Sequence, residues 1–330
     1  MTPSHLHDPT HVTAASCPLP DRGRFLHLCG ATPLVPVQLT EGGPAIWCKL
    51  EFLNPSGSTK DRIARYMLEK AWRRGQVGRG GAVVEASSGS TSIALALCCA
   101  QMGLRFTAVM PEGVSEERVL LIRAYGGEVA FVSRADGIRG AIAEAERIAA
   151  ATGAYPTRQF ENPDNSETHR LWTGQEILSQ IPHGLVHAIV SGVGTGGTLA
   201  GLYAAFAQAG CPVVPVAARP VHLGPGSAMG DAECCSFSAR VPGVVEGISK
   251  LYTPENLPGL REVDIDDDLA LETTRQLIRR GFPVGPSSGL NYCAALEAAR
   301  WLGPGAQVVT VFADRMERYF STELFAAQAK

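Results

Sequence analysis

The sequence predicts an α/β protein built as two doubly wound domains, each a parallel sheet covered by helices. Strand-like apolar runs alternate with helix-like segments through most of the chain, the pattern that parallel sheets with helical crossovers require. Several turns from strand to helix are rich in glycine and hydroxyl residues, as ligand-binding α/β turns are. The 330 residues, 45% hydrophobic and 18% charged, are enough for one large or two medium cores.

In chain order, residues 45–52 read as a strand and 58–74 as a helix. Strand 82–85, helix 90–102, strand 105–110, helix 115–125, strand 128–132 and helix 138–151 follow. The turn-rich stretch 153–162 reads as a crossover between domains. Beyond it come helix 165–181, strand 187–190, helix 197–209 and strand 212–217. Helix 269–280, helix 289–301 and strand 307–312 close the series. The expected organisation is an N-terminal arm and part of the large domain over 1–45, a small domain over 46–157 that carries a substrate loop, and the large cofactor-phosphate domain over 158–330. Residues 220–242, rich in Gly, Ser and Pro, read as a loop.

Bulk properties narrow the function. A formal net charge of -3 offers no basic surface for nucleic acid or membrane, and no apolar run is long enough to span a bilayer. The first twenty residues resemble neither a signal nor a transit peptide. Nine scattered cysteines without a CxxC pair fit reduced thiols in the cytoplasm and argue against a zinc site. Cys98 and Cys99, in an Ala/Leu-rich helix, read as small core residues.

Only five lysines are present: Lys49, Lys60, Lys70, Lys250 and Lys330. Lys60 stands apart because it follows a tight small-residue turn and opens a helix, whose positive end lowers an ammonium pKa and favours a nucleophilic amine. Taken alone it reads first as an ordinary helix-start lysine. Residues 192–198 (GVGTGGT) form a glycine-rich strand-to-helix turn suited to a phosphate. No acidic residue follows about 20 positions later to bind a ribose, which disfavours a dinucleotide. Residues 87–91 (SSGST) offer hydroxyls and amides at a helix start, suited to a carboxylate or merely to an N-cap. Residues 285–289 (GPSSG) open another helix in the same way.

Together these segments resemble the cysteine synthase family, the fold type II pyridoxal phosphate enzymes. Residues 54–62 (NPSGSTKDR) resemble its cofactor-lysine motif, 32–35 (TPLV) its N-terminal signature and 194–198 (GTGGT) its phosphate cradle. Residues 159–163 (QFENP), 287–289 (SSG) and 318–322 (RYFST) are similar to its remaining motifs, in the family's order. The resemblance implies a tryptophan synthase β-like fold with the active site between the domains, and pyridoxal 5'-phosphate as cofactor. Lys60 then forms the internal aldimine and removes the α-proton. Gly194, Thr195, Gly196, Gly197 and Thr198 hold the phosphate, and Ser287 bonds the pyridine nitrogen. Ser87, Ser88, Gly89, Thr91 and Gln159 surround the substrate carboxylate, with Ser90 beside the cofactor. A hydroxyl on the pyridine makes a weaker electron sink than an aspartate would, favouring prompt β-elimination to an aminoacrylate. The expected reaction is replacement at the β-carbon of an O-acetylserine-like amino acid by sulfide or a similar nucleophile, in a homodimer.

Two positions depart from the family. Its carboxylate loop commonly reads TSGNT, and Ser90 stands here in place of the asparagine, as in some cysteine desulfhydrases. A β-eliminating lyase that yields pyruvate, ammonia and sulfide is therefore the alternative. Glu246 occupies a place usually held by a neutral or basic residue. As a substrate-facing carboxylate it would repel a phosphate leaving group, so O-phosphoserine is expected to be a poor substrate.

Overall fold

The computed structural model describes residues 25–221, 240–244 and 247–326. The N-terminal arm, most of the 220–242 loop and Glu246 lie outside the described residues. The elements run β1 (Leu34–Val37), β2 (Ile46–Leu50), α1 (Lys60–Arg73), β3 (Ala82–Ala86), α2 (Ser90–Met102), β4 (Arg105–Pro111), α3 (Glu116–Ala124), β5 (Glu128–Val132), α4 (Gly137–Thr152) and β6 (Tyr155–Pro156). They continue through α5 (Asp164–Thr168), a π-helical turn (His169–Thr173), α6 (Gly174–Gln180), β7 (Ala188–Gly192), α7 (Gly197–Gln208), β8 (Val214–Val221), β9 (Arg261–Asp266), α8 (Asp267–Arg279), α9 (Pro286–Leu302), β10 (Val308–Phe312) and α10 (Glu323–Ala326).

Two sheets organise these elements. The larger has strand order β1-β2-β10-β7-β8-β9 and the smaller β5-β4-β3-β6. Every pairing is parallel except β1 with β2. The central strands are apolar on both faces because helices cover both: β10 (VVTVF) is buried at every position. In the small sheet the alternation is direct. Val83, Phe106, Ala108 and Met110 enter one core, while Val84, Ala86 and Val109 enter the core on the opposite face.

Helix character follows from the same packing. Along α1, Ile63, Ala64, Met67, Leu68 and Ala71 form a buried stripe at helical spacing. α2 is apolar nearly all round and is buried nearly all round, with Cys98 and Cys99 inside it. α8 is capped by Asp266, whose carboxylate accepts from the amides of Asp268 and Leu269.

The sequence-derived division at residue 46 needs correction. β2 pairs in parallel with β10, so it belongs to the large sheet, and the small sheet draws its strands from 82–156. The reason is hydrophobic: Ile46, Cys48 and Leu50 complete the core over β7 and β10. Three strands escape the sequence reading. β1 contains a proline, β6 is two residues long, and β9 (REVDID) is a largely polar edge. The helix expected over 165–181 is interrupted by the π turn.

Candidate active site

A cleft opens where the C-terminal ends of both sheets meet, the end at which open α/β sheets bind ligands. Lys60, Ser87, Ser88, Ser90, Thr91, Gln159, Gly194, Thr195, Gly196, Thr198 and Ser287 all line it. Segments as far apart as 60 and 287 thus converge. Gly89 and Gly197 do not line the cleft but shape its walls.

Lys60 is the first residue of α1. Asp61 fixes the preceding turn: its carboxylate accepts from the Ser56 amide (2.8 Å), the Ser56 hydroxyl (2.7 Å) and the Ser58 amide (3.1 Å). The Thr59 amide donates to the Ala313 carbonyl (2.8 Å), tying the turn to the end of β10. Behind it the buried Arg62 guanidinium grips Glu51 (2.6 and 2.7 Å) and Glu176 (both 2.7 Å). This fork-to-carboxylate geometry clamps α1 to the end of β2 and to α6. Enclosure by the cleft pushes the Lys60 ammonium below its ordinary range, and the negative charges of Asp314 and Glu51 oppose that shift.

The 87–91 turn is braced from three sides. Ser87 Oγ accepts from the amides of Gly89 (2.9 Å) and Ser92 (3.3 Å), so this hydroxyl builds the turn. Thr91 Oγ1 donates to Gln159 Oε1 (2.6 Å), and Gln159 Nε2 donates to the Ala86 carbonyl (2.7 Å). Buried Glu85 accepts from the Gln159 amide (2.9 Å), and burial raises its carboxyl to about 7. Gly89 has φ 150°, and a Cβ there would lie 2.3 Å from Arg118 Cδ. Arg118 donates to the Ser88 carbonyl (3.0 Å) and rests on the Tyr319 ring at 4.9 Å.

Ser90 has an unanticipated partner. Its hydroxyl donates to Asp314 Oδ2 (2.9 Å), which also receives the Tyr319 hydroxyl (2.7 Å). A hydroxyl has one proton to give, so in this arrangement Ser90 offers the cleft only acceptor lone pairs.

The glycine-rich turn at 194–198 is closely packed. A Cβ on Gly194 would lie 2.3 Å from the Gly243 carbonyl oxygen, and one on Gly197 would lie 2.0 Å from Asn165 Oδ1. Gly196 has φ 74° at the start of α7. Amides of this turn and the positive end of α7 suit a phosphate. Ser287 lies in the first turn of α9 on another wall, and Asn291 joins β7 to β10 there by accepting from the Gly192 amide (2.7 Å) and donating to the Val311 carbonyl (2.8 Å).

Pyridoxal phosphate fits these residues: an enclosed lysine with a depressed pKa, a glycine cradle too tight for side chains, and a hydroxyl-lined floor. Around the cleft, Thr59 Oγ1, Arg118 Nε and Asp314 Oδ1 are buried without hydrogen-bond partners among the described residues, which suits a polar occupant. Sequence reasoning missed Arg118, Asp314, Tyr319, Asn291 and Glu85. The RYFST segment flagged the neighbourhood of Tyr319, but nothing local distinguishes Arg118 from a helix-surface arginine or Asp314 from a turn aspartate.

The family description "Pyridoxal-phosphate dependent enzyme" matches residues 26–314. The chain belongs to this family. A curated cysteine synthase of Staphylococcus aureus is 35% identical over 302 residues, 91% of this chain and 96% of that protein. A solved O-ureido-L-serine synthase is 32% identical with a TM-score of 0.80, covering 93% of this chain and 96% of that one. A hydrogen sulfide-producing enzyme, solved as a mutant with an α-aminoacrylate intermediate, is also 32% identical with a TM-score of 0.80, over 91% and 90%. The chain is therefore a cysteine synthase-like, pyridoxal phosphate-dependent enzyme of fold type II. Among the described residues no helix is long and apolar enough to cross a membrane.

Proposed function

We propose that this enzyme replaces the β-substituent of an O-acetylserine-like amino acid with sulfide or a similar nucleophile. The supporting observation is the convergence of Lys60, the 194–198 cradle and the 87–91 turn on one cleft. When bound, pyridoxal phosphate supplies the electron sink that lets the α-proton and then the β-substituent leave. Lys60 holds the cofactor and takes the α-proton, a role served by its depressed pKa. Gly194, Thr195, Gly196, Gly197 and Thr198 cradle the phosphate, and Ser287 faces the pyridine nitrogen. The amides of the 87–91 turn at the positive end of α2, with Ser88, Thr91 and Gln159 at the cleft, receive the substrate carboxylate, and Ser90 stands beside the cofactor. Ser87 and Gly89 shape that turn. Glu246 would disfavour a phosphate leaving group, and efficient turnover of O-phosphoserine would refute this. The enzyme works as a homodimer in the cytoplasm, with no nucleic-acid or membrane partner, and sedimentation of the holoenzyme tests the dimer.

A second reading, a β-eliminating lyase acting on cysteine, is favoured by one contact. Ser90 spends its proton on Asp314, so the cleft lacks the amide donor that the family's usual asparagine supplies. The two readings separate when purified holoenzyme is given O-acetylserine with sulfide, and cysteine alone. Cysteine formation with little pyruvate supports replacement. Steady pyruvate and sulfide release from cysteine at a higher kcat/KM supports the lyase.

A further inference from the structure

The 194–198 turn is held from behind by residues that do not line the cleft. Asn165, in α5, donates from Nδ2 to Thr195 Oγ1 (3.0 Å) and to the Gln159 carbonyl (2.9 Å). One turn later His169 opens the π-helical segment, with Nε2 3.2 Å from Thr198 Oγ1 and Nδ1 3.0 Å from Thr173 Oγ1. Both hydroxyls of the GTGGT turn are thus engaged from one helix. The fit is close: α7 meets this helix through glycines, and a Cβ on Gly201 would lie 2.6 Å from His169 Cβ. The π turn gives the helix one extra residue where His169 faces α7, and such turns recur at functional sites.

We propose that His169 is a positioning residue of the phosphate cradle, fixing the direction in which Thr198 donates. The inference rests on the reading that residues 194–198 hold the phosphate. His169 is 1% exposed, and burial pushes its imidazole down to about 3, so the ring is neutral and has one N–H. If the Thr173 hydroxyl donates to Nδ1, the proton sits on Nε2 and is given to Thr198 Oγ1. Thr198 then keeps its own proton free to point at an anion in the cleft. With the other tautomer Thr198 would spend its proton on the imidazole and turn a lone pair toward the phosphate, which is repulsive. A Thr173 hydroxyl that donates to Nδ1 thus selects the tautomer, and that tautomer orients the Thr198 hydroxyl.

The test uses two substitutions that separate the ring's ends. Glutamine places an N–H donor near the Nε2 position, whereas asparagine reproduces only the Nδ1 side. Apoenzymes are titrated with pyridoxal phosphate for the dissociation constant, and the 31P resonance of the bound cofactor is recorded. His169→Asn should weaken binding about fivefold to tenfold, the size of one misdirected hydrogen bond, and shift the 31P line. His169→Gln should stay within about twofold of wild type. In a Thr198→Ala background the His169→Asn effect should vanish. Unchanged binding and 31P shift in His169→Asn, equal losses in both His169 variants, or a full His169→Asn effect without the Thr198 hydroxyl would overturn the inference. The cradle itself is tested by Thr198→Ala alone: if that change leaves affinity and 31P shift untouched, the reading of the turn fails, not merely the role of His169.

Discussion

Replacing Gly89 with alanine tests how the substrate turn is built. Gly89 sits at φ 150°, where an L side chain is strained by about 1–3 kcal/mol. Its Cβ would lie 2.3 Å from Arg118 Cδ and 2.9 Å from Nε, distances no real contact tolerates. Arg118 is buried between the turn and the Tyr319 ring, so it must move, losing its bond to the Ser88 carbonyl. A hydrogen bond from a charged donor is worth about 1.5–3 kcal/mol. Allowing for partial relaxation of the turn, a net cost of about 3 kcal/mol falls on the turn proposed to receive the substrate carboxylate, roughly a hundredfold in kcat/KM. Lys60 and the 194–198 cradle are untouched, so the cofactor dissociation constant should stay within about threefold. Steady-state kinetics with O-acetylserine or cysteine and a cofactor titration provide both readouts. A Gly89→Ala enzyme with wild-type kcat/KM would refute the packing argument, and one that loses cofactor affinity instead would show that the turn serves the cofactor.

Other perturbations read the charges around the cleft. Burial lowers the Lys60 pKa while the Asp314 carboxylate raises it, so Asp314→Asn should lower it further. Capture of pyridoxal phosphate by the apoenzyme needs the unprotonated amine; its pH–rate profile should level off at a lower pH in Asp314→Asn, and a shift to higher pH would contradict this. Burial raises Glu176, but the Arg62 guanidinium and Lys49 ammonium overrule it and hold the carboxyl at about 2. A depressed carboxylate contributes stability that is complete above its ordinary pKa of about 4.3 and is lost as pH falls toward its folded value. Wild type should therefore lose stability between about pH 4 and 2, and Glu176→Gln should be about 2 kcal/mol less stable at pH 7 with a flatter acid limb. Urea unfolding across that range decides it.

Much of this molecule is legible in the sequence because parallel strands covered on both faces announce themselves as apolar runs. β3, β4, β7 and β10 are found this way. β9 is missed because an edge strand with one dry face carries as much charge as a loop, and β2 is assigned to the wrong sheet because no local signal names a strand's partner. The same limit applies at the site. Lys60, the glycine turn and the serine turns are visible since each combines residue type with position at a helix start. Asp314, Arg118 and His169 are not, because their roles arise only where the end of β10 and α3 meet the cleft and where the π turn backs the 194–198 turn. The Ser90 substitution is visible in sequence; its consequence, a hydroxyl committed to Asp314, is visible only in three dimensions.

The central claim is that Lys60 carries the cofactor at this cleft. Borohydride reduction of the holoenzyme followed by peptide mass analysis tests it directly. A pyridoxyl group on Lys60 alone, absent in Lys60→Ala together with both β-replacement and β-elimination, is the predicted result; modification of Lys49, Lys70 or Lys250 instead, or full activity in Lys60→Ala, would contradict it.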